Sequence, residues 1–165
     1  MVLDLKDIFS GELSILPFSC QLDLSDTERY GCYPFVTPIL AKGAVTASAG
    51  CVRLEAEVSF VYEAPCDRCA APVRRQYDFR FSHELAHSLE QEDDGEYILV
   101  EEGDLLDLDE LLRSDILLEL PYKYLCQEDC KGLCPSCGKN LNEGPCGCNL
   151  HQIDPRLEVL SKLID

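Results

Sequence analysis

Six of the eleven cysteines, Cys126, Cys130, Cys134, Cys137, Cys146 and Cys148, crowd into one stretch near the C-terminal end of the 165-residue chain. Within it, Cys134-Pro135-Ser136-Cys137-Gly138 has the spacing of a zinc knuckle. Two thiolates so placed reach one ion, and the following Gly lets backbone N–H groups turn toward the sulfurs. Cys146-Gly147-Cys148 comes next, with Asn140 to Gly144 as the turn that returns the chain. Zinc held by four thiolates is tetrahedral and closed, so the expected role is structural. The first-choice ligands are Cys134, Cys137, Cys146 and Cys148. Cys126 and Cys130 are alternatives to the Cys146–Cys148 pair.

A second constellation is Cys66-Asp67-Arg68-Cys69, bracketed by Pro65 and Pro72. One reading is a redox dithiol, with Arg68 helping to hold a thiolate. No helix start or βαβ pattern surrounds it, however, whereas a hairpin tip is a normal place for a knuckle. Cys66 and Cys69 would then join Cys126 and Cys130 in a second four-thiolate site. Free thiols without a role are the plainer alternative. Cys20, Cys32 and Cys51 have no neighbours in sequence and are expected as small buried apolar residues.

The elements that must position these groups follow from periodicity. Val52, Leu54, Ala56, Val58, Phe60 and Tyr62 alternate with Arg53, Glu55, Glu57 and Ser59, which predicts a strand with one buried face. From Val73 to Leu85 the apolar residues are Val73, Tyr77, Phe79, Phe81 and Leu85, alternating with Arg74, Gln76, Asp78, Arg80 and Ser82. The two runs predict an antiparallel hairpin whose tip carries Cys66 and Cys69. His83 falls on the apolar parity and is expected in the core. Ile39 to Ala49 predicts a preceding strand. Val2 to Leu5 and Ser14 to Leu24 read as short strands broken at Ser10-Gly11, and Tyr97 to Val100 as another. Asp107 to Leu120 predicts a helix, capped by Asp107 or Asp109 and stopped by Pro121, with Leu108, Leu111, Leu112, Ile116 and Leu120 on its apolar face. Glu90 to Glu96 reads as a charged loop, and Pro155 to Ile164 as a short terminal helix.

The expected fold class is therefore α+β: an antiparallel sheet or small barrel-like core with one or two helices and a zinc-binding tail. Residues 1–121 form the mainly β domain and 122–165 the cysteine-rich tail. The tail is too poor in large apolar residues to bury a core of its own, so a metal must order it.

Composition narrows the function. No apolar run is long enough to span a membrane and no secretory leader is visible, so a cytoplasmic location is expected. A reducing compartment and an odd cysteine count favour metal ligands over disulfides. The net charge is −17, and residues 84–119 hold fourteen Asp/Glu against one Arg, a net of −13. Such a field repels phosphate backbones and attracts basic partners. Arg53, Arg68, Arg74, Arg75 and Arg80 gather around the hairpin, where a local RNA contact competes with plain solvation. No phosphate-binding loop, nucleophile elbow or dinucleotide fingerprint is present, and the histidines His83, His87 and His151 form no metalloprotease pattern. An enzyme is not expected.

The run from Leu125-Cys126 through Cys130-Lys131-Gly132-Leu133-Cys134-Pro135-Ser136-Cys137-Gly138, then Asn140-Leu141-Asn142, Cys146-Gly147-Cys148 and Asp154-Pro155-Arg156-Leu157, resembles the C-terminal motif of the YceD family. Leu117-Leu118-Glu119-Leu120-Pro121 and the Cys66/Cys69 pair match as well. The resemblance covers about residues 40 to 165. It implies a role in making or stabilising large-subunit ribosomal RNA, a genetic neighbourhood with a large-subunit ribosomal protein, and no enzymatic activity. Charge and resemblance together predict a ribosome biogenesis factor acting through a basic ribosomal protein or an assembly intermediate. Direct RNA binding by a zinc module and thiol-redox or zinc sensing are the alternatives.

Overall fold

In the computed structural model, which describes residues 1–86, 97–100 and 103–148, the elements run β1 (Val2–Asp4), α1 (Lys6–Phe9), β2 (Ile15–Leu22), β3 (Ile39–Ser48), β4 (Cys51–Pro65), β5 (Pro72–Ala86), β6 (Tyr97–Leu99), β7 (Leu105–Asp107) and α2 (Leu108–Glu119), followed by a 3-10 turn at Leu141–Glu143. The predicted loop at Glu90–Glu96, the predicted helix at 155–164, His87 and His151 lie outside the described residues.

The alternation along β4 becomes its burial. Val52, Leu54, Ala56, Val58, Phe60 and Tyr62 are all buried, while Arg53, Glu55 and Glu57 face solvent. A side-chain period of two, set against a single apolar layer, allows no other register. Neighbouring β5 is joined to β4 through the tip at residues 66–71. Arg53 meets Glu84 at 2.7 Å and Glu57 meets Arg80 at 3.1 Å. Four steps forward on one strand match four steps back on the other, the antiparallel relation the hairpin requires. Phe35, Phe60, Tyr62, Tyr77 and Phe79 form an aromatic cluster with ring centroids 5.4–6.1 Å apart.

The strand order is β2-β3-β4-β5-β6, with a separate two-stranded pairing of β1 with β7. Two expectations change here. β6 runs parallel to β5, pairing Glu84 with Tyr97 and Ala86 with Leu99, so the sheet is mixed rather than wholly antiparallel. Among the described residues its ends are β2 and β6, which are not paired with each other, so their hydrogen bonds do not close the sheet into a barrel. Near the N-terminus, Lys6–Phe9 forms a helical turn that the sequence reading placed outside any element.

At α2 the Asp107 carboxylate accepts from the amides of Asp109 and Glu110, capping N–H groups that have no partner inside the helix. Leu108, Leu112 and Ile116 are buried at helical spacing, and Leu120 is buried at its C-terminal cap. His83 is half-buried rather than in the core, its Nε2 lying 2.8 Å from Asp115 Oδ2 on α2. At that end of β5 the sheet face is only partly covered, so a polar ring is tolerated once it has a partner. Cys51 is exposed and Cys20 and Cys32 are half-buried, so none of the three is the core filler expected. Among the described residues no helix is long and apolar enough to cross a membrane.

The chain clusters into two compact units, Met1–Ala64 with Val73–Tyr122, and Pro65–Pro72 with the residues from Lys123 onward. The first holds the sheet and both helices. The second holds the hairpin tip and the cysteine-rich segment, and it contains all the cysteines that sequence spacing singled out.

Candidate metal centres

The second unit is built from two copies of one turn. In Cys66–Ala71 the Cys66 amide donates to the Ala71 carbonyl at 2.8 Å and the Ala70 amide to the Cys66 carbonyl at 2.8 Å. In Cys134–Lys139 the Cys134 amide donates to the Lys139 carbonyl at 2.8 Å and the Gly138 amide to the Cys134 carbonyl at 2.8 Å. Both turns need a left-handed residue after the second cysteine, and Ala70 (φ 56°) and Gly138 (φ 73°) supply it. The repeated turn aims amide hydrogens at the sulfurs, the feature that makes a two-cysteine turn a metal-binding knuckle.

Each turn is completed by a second pair of cysteines. Cys66, Cys69, Cys126 and Cys130 have their sulfurs within 4.8 Å of one another, and so do Cys134, Cys137, Cys146 and Cys148. The first-choice residues thus gather in one group. Cys126 and Cys130 lie in the other, opposite Cys66 and Cys69, rather than replacing Cys146 and Cys148. Across the first group Cys66 Sγ is 3.8 Å from Cys130 Sγ and Cys69 Sγ is 3.6 Å from Cys126 Sγ. A tetrahedral ion with metal–sulfur bonds of about 2.3 Å needs sulfurs about 3.8 Å apart, so the donor set fits such an ion. Cys66, Cys69, Cys130 and Cys134 are buried, while Cys126 and Cys137 are exposed.

Segments far apart in sequence are clamped to make the first group. The Asp67 amide donates to the Tyr124 carbonyl at 2.9 Å, and the Tyr124 amide to the Asp67 carboxylate at 2.6 Å. Arg68 donates from its guanidinium to the Cys130 carbonyl at 2.8 Å, and its own carbonyl accepts from the Leu133 amide at 3.1 Å. Gly132 is required there. It adopts φ 75°, and a Cβ would lie 3.0 Å from the Arg68 carbonyl oxygen. The Arg68 guanidinium is thus held by a backbone carbonyl, and it is the Arg68 amide rather than its charged group that serves the Cys66 sulfur.

The thiols are electrostatically divided. Burial pushes Cys66 up, but the amides of Cys126, Arg68 and Cys69 outweigh it and hold this thiol at about 6. The amides of Ser136 and Cys137 pull Cys134 down to about 6. The Asn142 side-chain amide leads the lowering of Cys130. In the opposite direction, burial and the neighbouring thiols push Cys126 up to about 12, and Cys137, Cys146 and burial push Cys148 up to about 12. Four clustered sulfurs cannot all ionise without a counter-charge, and a divalent cation at their centre removes that conflict.

Sequence reasoning missed three contributors: Ala70 in a glycine place, the Asp67 carboxylate on the Tyr124 amide, and the Asn142 amide on a sulfur. Only Asn142 carried a signal, as a short polar side chain between Cys137 and Cys146, and it was read simply as a turn residue.

The family profile of "Large ribosomal RNA subunit accumulation protein YceD" matches residues 54–164, a span that includes both cysteine groups. YlbN of Bacillus subtilis, an uncharacterized protein, is 30% identical over 134 residues, covering 78% of this chain and 76% of that relative. An uncharacterized protein of Mycobacterium tuberculosis is 31% identical over 106 residues, 60% of this chain and 49% of the relative. A maize chloroplast protein named large ribosomal RNA subunit accumulation protein YCED homolog 1 is 29% identical over 136 residues, 64% of this chain and 46% of the relative. The matched region spans about half the length of the mycobacterial and maize relatives. No solved structure matches. With the profile spanning hairpin, helix and tail alike, the chain belongs to the YceD family.

Proposed function

We propose that this protein is a non-catalytic, cytoplasmic factor that supports accumulation of large-subunit ribosomal RNA by docking a basic ribosomal protein or assembly intermediate. Zinc is the metal of both cysteine groups, because all-thiolate tetrahedral sites suit it and need no redox change. The observation that carries the docking reading is charge segregation, with a net of −13 in residues 84–119 out of −17 overall. A surface of that sign attracts basic proteins and disfavours phosphate backbones. The hairpin arginines point the same way. Arg53 and Arg80 are paired with Glu84 and Glu57, and Arg68 serves the Cys130 carbonyl, so these arginines are engaged within the chain.

The test is a pull-down of the full chain from its own cell extract at low and moderate salt, with and without ribonuclease. A basic large-subunit protein should be retained through ribonuclease and lost as salt rises. A variant with Glu92→Gln, Asp93→Asn, Asp94→Asn, Glu110→Gln and Glu119→Gln should recover much less of it. Unchanged recovery by that variant overturns the acidic docking face. Loss of all partners after ribonuclease replaces this reading with direct RNA binding.

A further inference from the structure

One side chain that is not itself a candidate ligand reaches from the loop of the second cysteine group to a sulfur of the first. Asn142 lies in the 3-10 turn Leu141–Glu143, between Cys137 and Cys146, the stretch that a metal in the second group closes into a loop. Its side chain points out of that loop. Nδ2 donates to Cys130 Sγ of the first group at 3.3 Å and to Asn140 Oδ1 at 2.9 Å. Its Oδ1 accepts from the Lys131 amide at 2.8 Å and from Gln127 Nε2 at 3.3 Å, both in the Cys126–Cys130 arm of the first group or next to it. Two donors and two acceptors exhaust what an Asn side chain can do, so its position is fully specified. The backbone repeats the link: the Leu141 amide donates to the Gly132 carbonyl at 2.9 Å, and Leu133 bridges Asn140.

We infer that Asn142 is a positioning residue that couples the two metal sites, so that metal at Cys134, Cys137, Cys146 and Cys148 tightens metal binding at Cys66, Cys69, Cys126 and Cys130. The inference rests on both groups binding zinc. Closing the second loop holds the turn that carries Asn142. Without that closure the loop samples many conformations, and the cost of bringing its ends together falls on the Asn142–Cys130 bond. Hydrogen bonds to ligand atoms typically change metal affinity 10- to 100-fold. Coupling of binding free energies is reciprocal, so metal in the first site tightens the second by the same factor.

The experiment uses the full chain and a chromophoric chelator competing for zinc. Cadmium NMR of the substituted protein assigns each site through Cys146→Ser/Cys148→Ser and Cys66→Ser/Cys69→Ser variants. Asn142→Ala should weaken the first site about 10- to 100-fold at saturated second site. Emptying the second site with Cys146→Ser/Cys148→Ser should weaken the first by a similar factor. The combined variant should be no weaker at the first site than either parent, because both remove one interaction. Asn142→Asp retains both acceptor bonds but sets a carboxylate against a thiolate. It should weaken the first site more than Asn142→Ala and shift only that site's cadmium resonance. Unchanged first-site affinity in Asn142→Ala, or additive losses in the combined variant, overturns the coupling. Wild-type protein binding fewer than two zinc ions overturns the two-zinc reading itself.

Discussion

Ala70 and Gly138 hold the same place in two turns of one hydrogen-bond pattern, each with a left-handed backbone and each donating its amide to the carbonyl of the first cysteine. Only one of them is the residue that conformation favours. An L-residue with a Cβ pays about 1–2 kcal/mol in this region, and the first knuckle carries that strain while the second does not.

The strain gives paired variants of opposite sign. Ala70→Gly should tighten zinc at Cys66, Cys69, Cys126 and Cys130 by up to about tenfold, and Gly138→Ala should loosen the other site by a like factor. Nothing lies within 4 Å of a Cβ built at Gly138, so the effect there is backbone strain, not collision. Chelator competition reads both. Equal affinities in parent and variants would show that the turns relax without cost.

Metal removal should act on one unit. Among the described residues of the cysteine-rich segment, the buried ones beyond the hairpin tip are Tyr124, Cys130, Gly132 and Cys134. With zinc bound as proposed, its order should depend on the ion, and binding free energy then becomes folding free energy. A strong chelator should abolish hydrogen-exchange protection at the amides of Cys130, Leu133, Cys134 and Gly138. Protection at Leu54, Val58 and Phe60 in β4 should remain. Retained protection in the tail at full metal removal would mean that hydrogen bonds alone hold it.

In mid-strand, Gly43 should resist any side chain. It pairs with Phe18 on one side and Ala56 on the other. A Cβ there would sit 2.0 Å from the Glu55 carbonyl oxygen and 2.7 Å from Phe18 Cζ. Strand propensity alone makes Gly→Ala favourable, but overpacking costs about 1–3 kcal/mol and reverses the sign. Gly43→Ala should lower the urea midpoint with an unchanged slope. A raised midpoint would mean that Phe18 swings aside freely.

How far the chain could be read in advance depended on how local each determinant is. The face of β4 was legible because six alternating apolar residues meet one apolar layer. The Cys134 turn was legible because its spacing is self-contained. Which cysteines join Cys66 and Cys69 stayed open, since Cys126 and Cys130 reach them only through a chain reversal and the Asp67–Tyr124 clamp. The parallel pairing of β6 was hidden because three residues carry it and no periodicity marks direction. Lys6–Phe9 is too short to show a helical period. Ala70 gave no sign of its left-handed backbone, because alanine ordinarily avoids it.

The aromatic cluster yields a prediction in which removing an atom group helps. Tyr77 packs its ring on Phe60 and Phe79, with centroids 5.7 and 5.4 Å away, while its buried hydroxyl has no hydrogen-bond partner among the described residues. A buried hydroxyl without a partner costs about 1–3 kcal/mol of lost hydration. Tyr77→Phe keeps the ring contacts and removes the hydroxyl, so it should hold or raise the urea midpoint. Phe60, fully buried in the same cluster, behaves oppositely: Phe60→Ala removes the ring and leaves a cavity, costing about 3–5 kcal/mol. The pair separates packing from polarity at one place in the sheet. A marked loss of stability in Tyr77→Phe would show that the hydroxyl is hydrogen-bonded in solution, and water bridging it to the backbone would then be the feature to seek.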